Sequence, residues 1–159
     1  MHDLAINLKI NKNQVSGSDD IIYDPSKSNL KKYNLLPKKY GYYKSNISKD
    51  LDFVITGMHT NKNNIELSEA KKNKIPIYSY PEFIRKFSEN KHRIVIAGSH
   101  GKTTITSIIM HVLKFNKIKF DYLVGAKVNG FKSNINLSNN PLIIIEGDEY
   151  LTSPLDNKP

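Results

Sequence analysis

The chain has 159 residues, no cysteine, a formal net charge of +9 and 38% hydrophobic residues. This length allows one ordinary domain or two small ones, and the apolar share is sufficient for a core. The lack of cysteine excludes a disulfide framework and a cysteine-based zinc site, and it fits a reducing compartment. No apolar run reaches the roughly 20 residues of a membrane span, and the N-terminus lacks a secretory leader pattern. We therefore expect a cytoplasmic globular protein without a membrane partner.

The positive charge comes almost entirely from lysine, since the arginines are Arg85 and Arg93 alone. Arginine is the residue best suited to bidentate contacts with bases and phosphates. The lysine pairs, such as those at 31–32 and 71–72, have no interleaved aromatic pattern and predict solvated faces. We expect no nucleic-acid partner, and a basic nucleic-acid-binding module is the weakest alternative.

Helical and strand patterns alternate along the first half of the chain, which predicts an α/β fold. The helical patterns cover residues 1–10, 25–35, 66–74 and 81–89, with Ser26 as a predicted N-cap. The strand patterns cover 51–57 and 75–78. The polar segment 88–91 then marks a predicted boundary between a domain over 1–90 and a second over 91–159.

A Gly-Ser-Asp-Asp turn at 17–20 follows the first predicted helix. In a nucleotide-binding βαβ unit, an acidic residue at the end of the second strand commonly holds a ribose hydroxyl, and Asp19 fits that position. A surface turn rich in Gly, Ser and Asp is at least as good an interpretation of these residues alone.

A strand, a glycine-containing loop and a helix are predicted in succession from residue 94. The β-branched run 94–97 is typical of a strand buried on both faces of a parallel sheet. After the loop, apolar residues return at helical spacing and predict the buried face of a helix: Ile105, Ile108, Ile109, Val112 and Leu113. The unpaired N–H groups and the positive dipole at the start of this helix favour an anion.

This order of elements predicts a phosphate-binding loop for ATP. Gly98 and Gly101 let the backbone close around a polyphosphate, Lys102 can reach its β- and γ-phosphates, and Thr103 can ligate Mg²⁺. The general pattern G-x-x-x-x-G-K-[ST] is not strictly met, because Ile96 stands where the first glycine is expected. The alternative is a glycine turn before a helix that happens to contain Gly-Lys-Thr.

The remaining patterns predict strands at 122–125 and 142–145, with turns at 129–130 and 139–141. Asn134, Asn136 and Ser138 are expected in an irregular surface segment. Glu146, Asp148 and Glu149 follow the last strand, at the sheet edge where open α/β sheets bind ligands. Glu146 is the candidate Mg²⁺ ligand, directly or through another group. A solvated acidic turn is the alternative.

Two segments resemble the Mur ligases, the ATP-dependent amide-forming enzymes of peptidoglycan synthesis. Residues 98–104 resemble their G-T-H-G-K-T-T loop, and His100 with the Thr-Thr pair is similar to the branch acting on UDP-N-acetylmuramate. Residues 146–150 resemble the E-A-D-E-[SY] segment of that branch, where Tyr150 favours the tripeptide-adding members. The resemblance implies a Rossmann-like UDP-sugar-binding domain over 1–90, followed by the start of a P-loop ATPase α/β domain over 91–159.

The resemblance also implies roles for single residues. Lys102 and His100 are the implied catalytic residues, and Thr103 and Glu146 surround Mg²⁺. The implied ATP contacts are Gly98, Ser99, His100, Gly101, Lys102, Thr103 and Thr104. Ser18, Asp19 and His59 are the implied contacts of the UDP-sugar, although a loop histidine of no consequence is the favoured interpretation of His59. Histidine spacing indicates no zinc site.

The implied reaction begins with attack of the muramate lactyl carboxylate on the γ-phosphate of Mg·ATP. The resulting acyl phosphate is taken by an amine, either L-alanine or L-alanyl-γ-D-glutamyl-diaminopimelate. The Gly-rich loop H-[FI]-x-G-I-G-G of such enzymes is not found before Met1, and their C-terminal parts are also not found here. We therefore expect an incomplete fragment that does not complete ligation alone. A non-catalytic nucleotide-binding remnant is the alternative.

Overall fold

The structure, a computed structural model, describes residues 1–147 of the chain. They form an α/β fold of two compact units, one over Met1–Arg85 and one that begins at Lys86. The helices are α1 (His2–Ile10), α2 (Ser26–Lys32), α3 (Ile65–Lys72), α4 (Tyr80–Phe87) and α5 (Lys102–Phe115). The strands are β1 (Val54–Thr56), β2 (Ile77–Ser79), β3 (His92–Ile96), β4 (Asp121–Leu123), β5 (Ile135–Asn136) and β6 (Leu142–Glu146). Every predicted helix and strand is present, with shifted ends.

The first unit contains a parallel pair of short strands, β1 and β2, with Val54 opposite Ile77. β1 is shorter than the predicted strand over 51–57, because the neighbouring strand β2 has few residues with which it can pair. Pro76 has no N–H for the ladder, although its carbonyl accepts from the Val54 N–H at 2.9 Å. Tyr80 then begins α4 directly after β2. The strand pair is therefore limited to three residues on each side.

Ser26 is not an N-cap, which corrects the prediction. Pro25 occupies the N-cap position of α2, and Ser26 is the first helical residue. The carboxylate of Asp24 satisfies the start of the helix instead, because it accepts hydrogen bonds from the Ser28 N–H at 3.1 Å and from the Ser28 hydroxyl. Proline suits such a position since it has no N–H to satisfy.

The second unit is built on a four-stranded sheet in the order β3-β6-β4-β5. β3, β6 and β4 are parallel, and β5 runs antiparallel to β4. α5 lies against β3 and β6. The core between them consists of buried apolar side chains: Ile96, Met110, Phe120, Tyr122, Val124, Val128 and Ile144. The parallel arrangement brings the C-terminal ends of β3 and β6 to the same edge of the sheet.

The predicted buried face of α5 is wrong for three of its five residues. Ile105 is 49% exposed, Ile108 57% and Val112 54%, whereas Ile109 and Leu113 are partly buried. Thr106 and Met110 face the core and are fully buried. The pattern did not distinguish the two faces because both carry apolar residues. We call the exposed set Ile105, Ile108, Val112 and Phe115 the outer stripe of α5.

The prediction of an irregular surface segment around Asn134, Asn136 and Ser138 is also wrong. Ile135 pairs with Leu123 in the antiparallel ladder between β4 and β5. Ile135 and Leu137 are buried, and the polar residues alternate with them. This is the two-residue period of a strand, which the abundance of asparagine, a poor strand former, concealed.

The polar segment before β3 contains a buried ion pair. Nζ of Lys91 lies 3.0 Å from Oδ2 of Asp121, which is fully buried at the start of β4. The same ammonium group donates to the carbonyls of Ser138 at 2.7 Å and Asn140 at 2.6 Å. Oδ1 of Asp121 accepts from the Ser138 hydroxyl and the Asn140 amide. This Lys91 cluster joins the start of β3, the start of β4 and the turn before β6.

Candidate functional site

The loop after β3 has two residues in the left-handed backbone region. Gly98 has φ of +145° and Gly101 has φ of +75°. Gly101 is the N-cap of α5, and its carbonyl accepts from the Ile105 N–H at 2.9 Å. A residue with a Cβ is strained in this conformation, so the sharp entry into the helix requires glycine.

All seven residues of the predicted phosphate loop lie in this one turn and the first turn of α5. Lys102 is the first helical residue, and its Nζ donates to the carbonyl of Gly98 at 2.7 Å. The ammonium group therefore lies across the loop. Ser99, His100 and Thr104 are exposed around it. The backbone N–H groups at the start of α5 and the lysine charge together favour an anion at this place.

Thr103 and Glu146 meet at the base of the loop. The Thr103 hydroxyl donates to Oε1 of Glu146 at 2.6 Å. Glu146 ends β6 and is paired with Ile96 of β3, so the parallel register places its carboxylate beside the loop. The Gly125 N–H donates to Oε2 of Glu146 at 2.9 Å. Both oxygens of the carboxylate are thereby held in place.

Two glycines that were not among the predicted site residues shape this base. A Cβ at Gly125 would lie 3.3 Å from Oε1 of Glu146, and one at Gly147 would lie 3.2 Å from the carbonyl of Ile96. The Gly147 N–H donates to that carbonyl at 2.8 Å. The available signal was position, because Gly125 is the last residue of one predicted strand and Gly147 lies two residues after the end of another.

The donor set of this base fits Mg²⁺. A threonine hydroxyl and a carboxylate are the hard oxygen ligands that Mg²⁺ prefers, and the ion usually takes its other ligands from phosphates and water. Within residues 1–147 no group of three or more His, Asp or Glu side chains could hold a metal by itself. The predicted acidic residues Asp148 and Glu149, together with Tyr150, lie outside the described residues.

The three predicted UDP-sugar contacts of the first unit have different surroundings in the structure. The Ser18 hydroxyl donates to Oε2 of Glu66 at 2.5 Å. Oδ2 of Asp19 lies 3.6 Å from Nε2 of His2. His59 lines a cleft of about 420 Å³, in which Asp20 rather than Asp19 is a wall. The other lining residues are Tyr42, Asn61, Asn63, Asn64 and Ile65.

One side of this cleft is acidic. Burial raises the pKa of the Tyr42 hydroxyl, and the carboxylates of Asp19, Asp20 and Glu66 raise this pKa further, whereas a hydrogen bond with the Asp20 backbone lowers it. Negative charge from three side chains therefore acts on the Tyr42 side of the cleft.

No helix within residues 1–147 has the length and apolar character to span a bilayer. No protein-family model matches the chain.

Curated relatives of the chain are UDP-N-acetylmuramate–L-alanine ligases. The protein from Syntrophomonas wolfei is 32% identical over 146 residues, which is 92% of this chain and 31% of the relative. The protein from an Anaeromyxobacter species is 39% identical over 99 residues, which is 62% of this chain and 22% of the relative. The chain thus spans less than a third of the length of these two relatives.

Solved structures share the fold. A UDP-N-acetylmuramate:L-alanyl-γ-D-glutamyl-meso-diaminopimelate ligase from Neisseria meningitides matches with a TM-score of 0.84 at 24% identity, covering 99% of this chain and 52% of that one. A UDP-N-acetylmuramate–alanine ligase from Thermotoga maritima matches with a TM-score of 0.71 at 25% identity, covering 91% of this chain and 34% of that one. Sequence relatives and structural neighbours agree, and the chain belongs to the UDP-N-acetylmuramate ligase branch of the Mur ligase family.

Proposed function

We propose that this chain carries the Mg·ATP site and the UDP-sugar-binding part of an ATP-dependent ligase of peptidoglycan synthesis or recycling. The ligase joins UDP-N-acetylmuramate to L-alanine or to L-alanyl-γ-D-glutamyl-diaminopimelate, and it works in the cytoplasm. The names of the relatives support both acceptors. The observation that carries the ATP site is the hydrogen bond of 2.6 Å between Thr103 and Glu146 at the base of the glycine loop.

The candidate site residues of the second unit have distinct roles in this proposal. The backbone of residues 99–103 and the Lys102 ammonium group neutralise the phosphates, because unpaired N–H groups and a cation converge on the same turn. Thr103 and Glu146 hold Mg²⁺ with their oxygens. His100 is proposed to act with Lys102 as a catalytic residue, on the acceptor phosphate side of the loop. ATP, when bound, supplies the phosphoryl group that activates this carboxylate. The contribution of the chain is positioning and charge neutralisation.

The proposed domains are a UDP-sugar-binding domain over 1–90 and the N-terminal part of the ATP-binding domain over 91–159. Ser18, Asp19 and His59 are the proposed contacts of the UDP-sugar in the first of these. Ser18 acts there through its bond to Glu66, and His59 offers a basic group at the cleft.

The test is a calorimetric titration of Mg·ATP into the 159-residue chain, its Lys102→Ala variant and its Lys119→Ala variant. Lys119 is an exposed lysine outside the loop and is the matched control for the loss of one positive charge. We expect binding by the parent chain and by Lys119→Ala, and at least about tenfold weaker binding by Lys102→Ala. A folded parent chain that does not bind Mg·ATP, or a Lys102→Ala variant with unchanged affinity, would contradict the proposed site.

A further inference from the structure

Glu66 is a buried carboxylate near the start of α3, with 8% of its surface exposed. Its two oxygens accept three hydrogen bonds from two distant segments of the first unit. Oε2 accepts from the Ser18 hydroxyl at 2.5 Å. Oε1 accepts from the Tyr43 N–H at 3.1 Å and from the Asn46 side-chain amide at 2.8 Å. The carboxylate thus joins the turn at 17–20, the segment 43–46 and α3.

The same three parts of the chain form the walls of the cleft beside His59. Asp20 stands two residues after Ser18, and Tyr42 stands directly before Tyr43. Asn64 and Ile65 directly precede Glu66 and also line the cleft. A backbone hydrogen bond of 2.8 Å from the Gly41 N–H to the carbonyl of Asp19 adds a second link between two of these walls.

Glu66 does not line the cleft itself, and its oxygens are engaged with protein donors. Every group that faces the carboxylate donates to it, and the negative charge strengthens all three hydrogen bonds. A glutamine at this position removes that charge, and its NH₂ group requires the Ser18 hydroxyl to accept instead of donate. The remaining hydrogen bonds between neutral groups are weaker, so the walls are held together less firmly.

The groups around the cleft match a nucleoside better than a diphosphate. The side-chain amides of Asn61, Asn63 and Asn64 offer NH₂ donors to the carbonyl oxygens of a pyrimidine, whereas the amide oxygens of Asn61 and Asn64 already accept from backbone N–H groups. Asp20 can accept from ribose hydroxyls. The negative charge on the Tyr42 side repels phosphates, which leaves His59 as the basic group for them.

We propose that Glu66 is the positioning residue of this cleft, which is the UDP-sugar site of the proposed function. Glu66 acts by fixing Ser18 and the segment 43–46 against α3, without touching the ligand. The inference rests on the UDP-sugar part of the proposed function and adds to it the residue that assembles the site.

The test is a titration of UDP into the 159-residue chain and into its Glu66→Gln, Ser18→Ala and double variants. Glu69→Gln is the matched control, since it makes the same change of charge in α3 at a side chain that accepts from Asn73, the C-cap of the same helix. We expect Glu66→Gln to weaken UDP binding by about tenfold or more and Glu69→Gln to leave it within about twofold. Ser18→Ala is the milder variant, because it removes one hydrogen bond and keeps the carboxylate.

Coupling tests whether Ser18 and Glu66 act on the same wall, and the circular dichroism of each variant, compared with the parent chain, tests for a general loss of folding. We expect Ser18→Ala to weaken UDP binding in the parent chain and to have no further effect in the Glu66→Gln chain, because both changes release the same wall. Binding of Mg·ATP by each variant, measured in parallel, is expected to be unchanged and shows that the second unit is folded.

Two results would overturn the inference alone: unchanged UDP affinity in Glu66→Gln, or additive effects of the two substitutions. A parent chain that binds Mg·ATP but not UDP would overturn both this inference and the proposed UDP-sugar site, and the ATP site would stand.

Discussion

Lys91 and Asp121 form an ion pair of 3.0 Å in which the carboxylate is completely buried. Their pairing is not isolated, because the ammonium group also satisfies the carbonyls of Ser138 and Asn140. Removal of one partner of such a buried pair lowers the stability of the fold strongly, because the charge of the other partner stays in the interior without compensation.

Replacement of Lys91 by methionine is therefore expected to destabilise the second unit. The variant keeps the length of the side chain but leaves Asp121 without its cation, and we expect a loss of about 3–5 kcal/mol in the free energy of unfolding. Urea denaturation followed by circular dichroism measures this loss. Lys119→Met is the control at an exposed lysine and is expected to change the free energy by less than about 0.5 kcal/mol. A loss below about 1 kcal/mol for Lys91→Met would contradict the prediction.

Replacement of Glu146 by glutamine is expected to separate metal-dependent from metal-independent nucleotide binding. The amide oxygen can accept from the Gly125 N–H while the Thr103 hydroxyl turns to accept from the NH₂ group, but the amide is a poorer ligand for Mg²⁺. We expect the affinity for Mg·ATP to fall about tenfold or more and the affinity for ATP with a chelator to change little. Calorimetry in the two buffers measures both values, with Glu89→Gln as the control. An equal fall in both buffers would show that Glu146 acts on the loop and not on the ion.

Replacement of Thr106 by valine is expected to stabilise the chain. Thr106 is fully buried on the core face of α5, and its Oγ1 has no hydrogen-bond partner among the described residues. A methyl group in its place removes an unsatisfied oxygen at nearly constant volume, so we expect a gain of about 1 kcal/mol in the free energy of unfolding. Thermal or urea unfolding measures the gain, and Thr104→Val on the exposed side of the helix is the control. A loss of stability in Thr106→Val would mean that the hydroxyl has a partner.

The Tyr80 hydroxyl is expected to titrate above the usual range of a tyrosine. Burial, together with a smaller contribution from the carboxylate of Asp3, raises its pKa from the usual 10.0 to about 12. The folded state thus holds the phenolic proton more tightly than the unfolded state. This contribution to stability is complete below pH 10 and is lost as the pH rises through about 12. The ultraviolet absorbance of phenolate in the parent chain minus that in Tyr80→Phe isolates this group. A midpoint near 10 in the difference would contradict the assigned burial.

The elements of this fold could be predicted from periodicity, but their contacts could not. The helices and most strands follow from apolar spacing and from proline and glycine signals. Apolar spacing did not predict which face of α5 is buried, because Ile108 on the exposed face and Met110 on the buried face are both apolar. The ion pair between Lys91 and Asp121 joins residues 30 positions apart and leaves no local pattern.

The candidate ATP site was predictable in a different way. The loop residues are contiguous, so their proximity needs no knowledge of the fold. Thr103 and Glu146 lie close together because β3 and β6 run parallel and end at the same edge of the sheet. The βαβ pattern of the sequence indicates this parallel arrangement. Glu66 was not predictable as an organising residue, since a glutamate in a helix is typical of a solvated face. Only the fold reveals that Ser18 and Tyr43 lie against it.

The outer stripe of α5 has a consequence for the behaviour of this polypeptide in concentrated solution. Four large apolar side chains on one exposed helix face form a surface that water wets poorly. Molecules that meet through such faces adhere to one another, so light scattering is expected to increase with protein concentration and with added sulfate. Because Ile108 is 57% exposed, a lysine there removes apolar surface at little cost to the core. Ile108→Lys is thus expected to keep the chain monodisperse at concentrations at which the parent chain clusters.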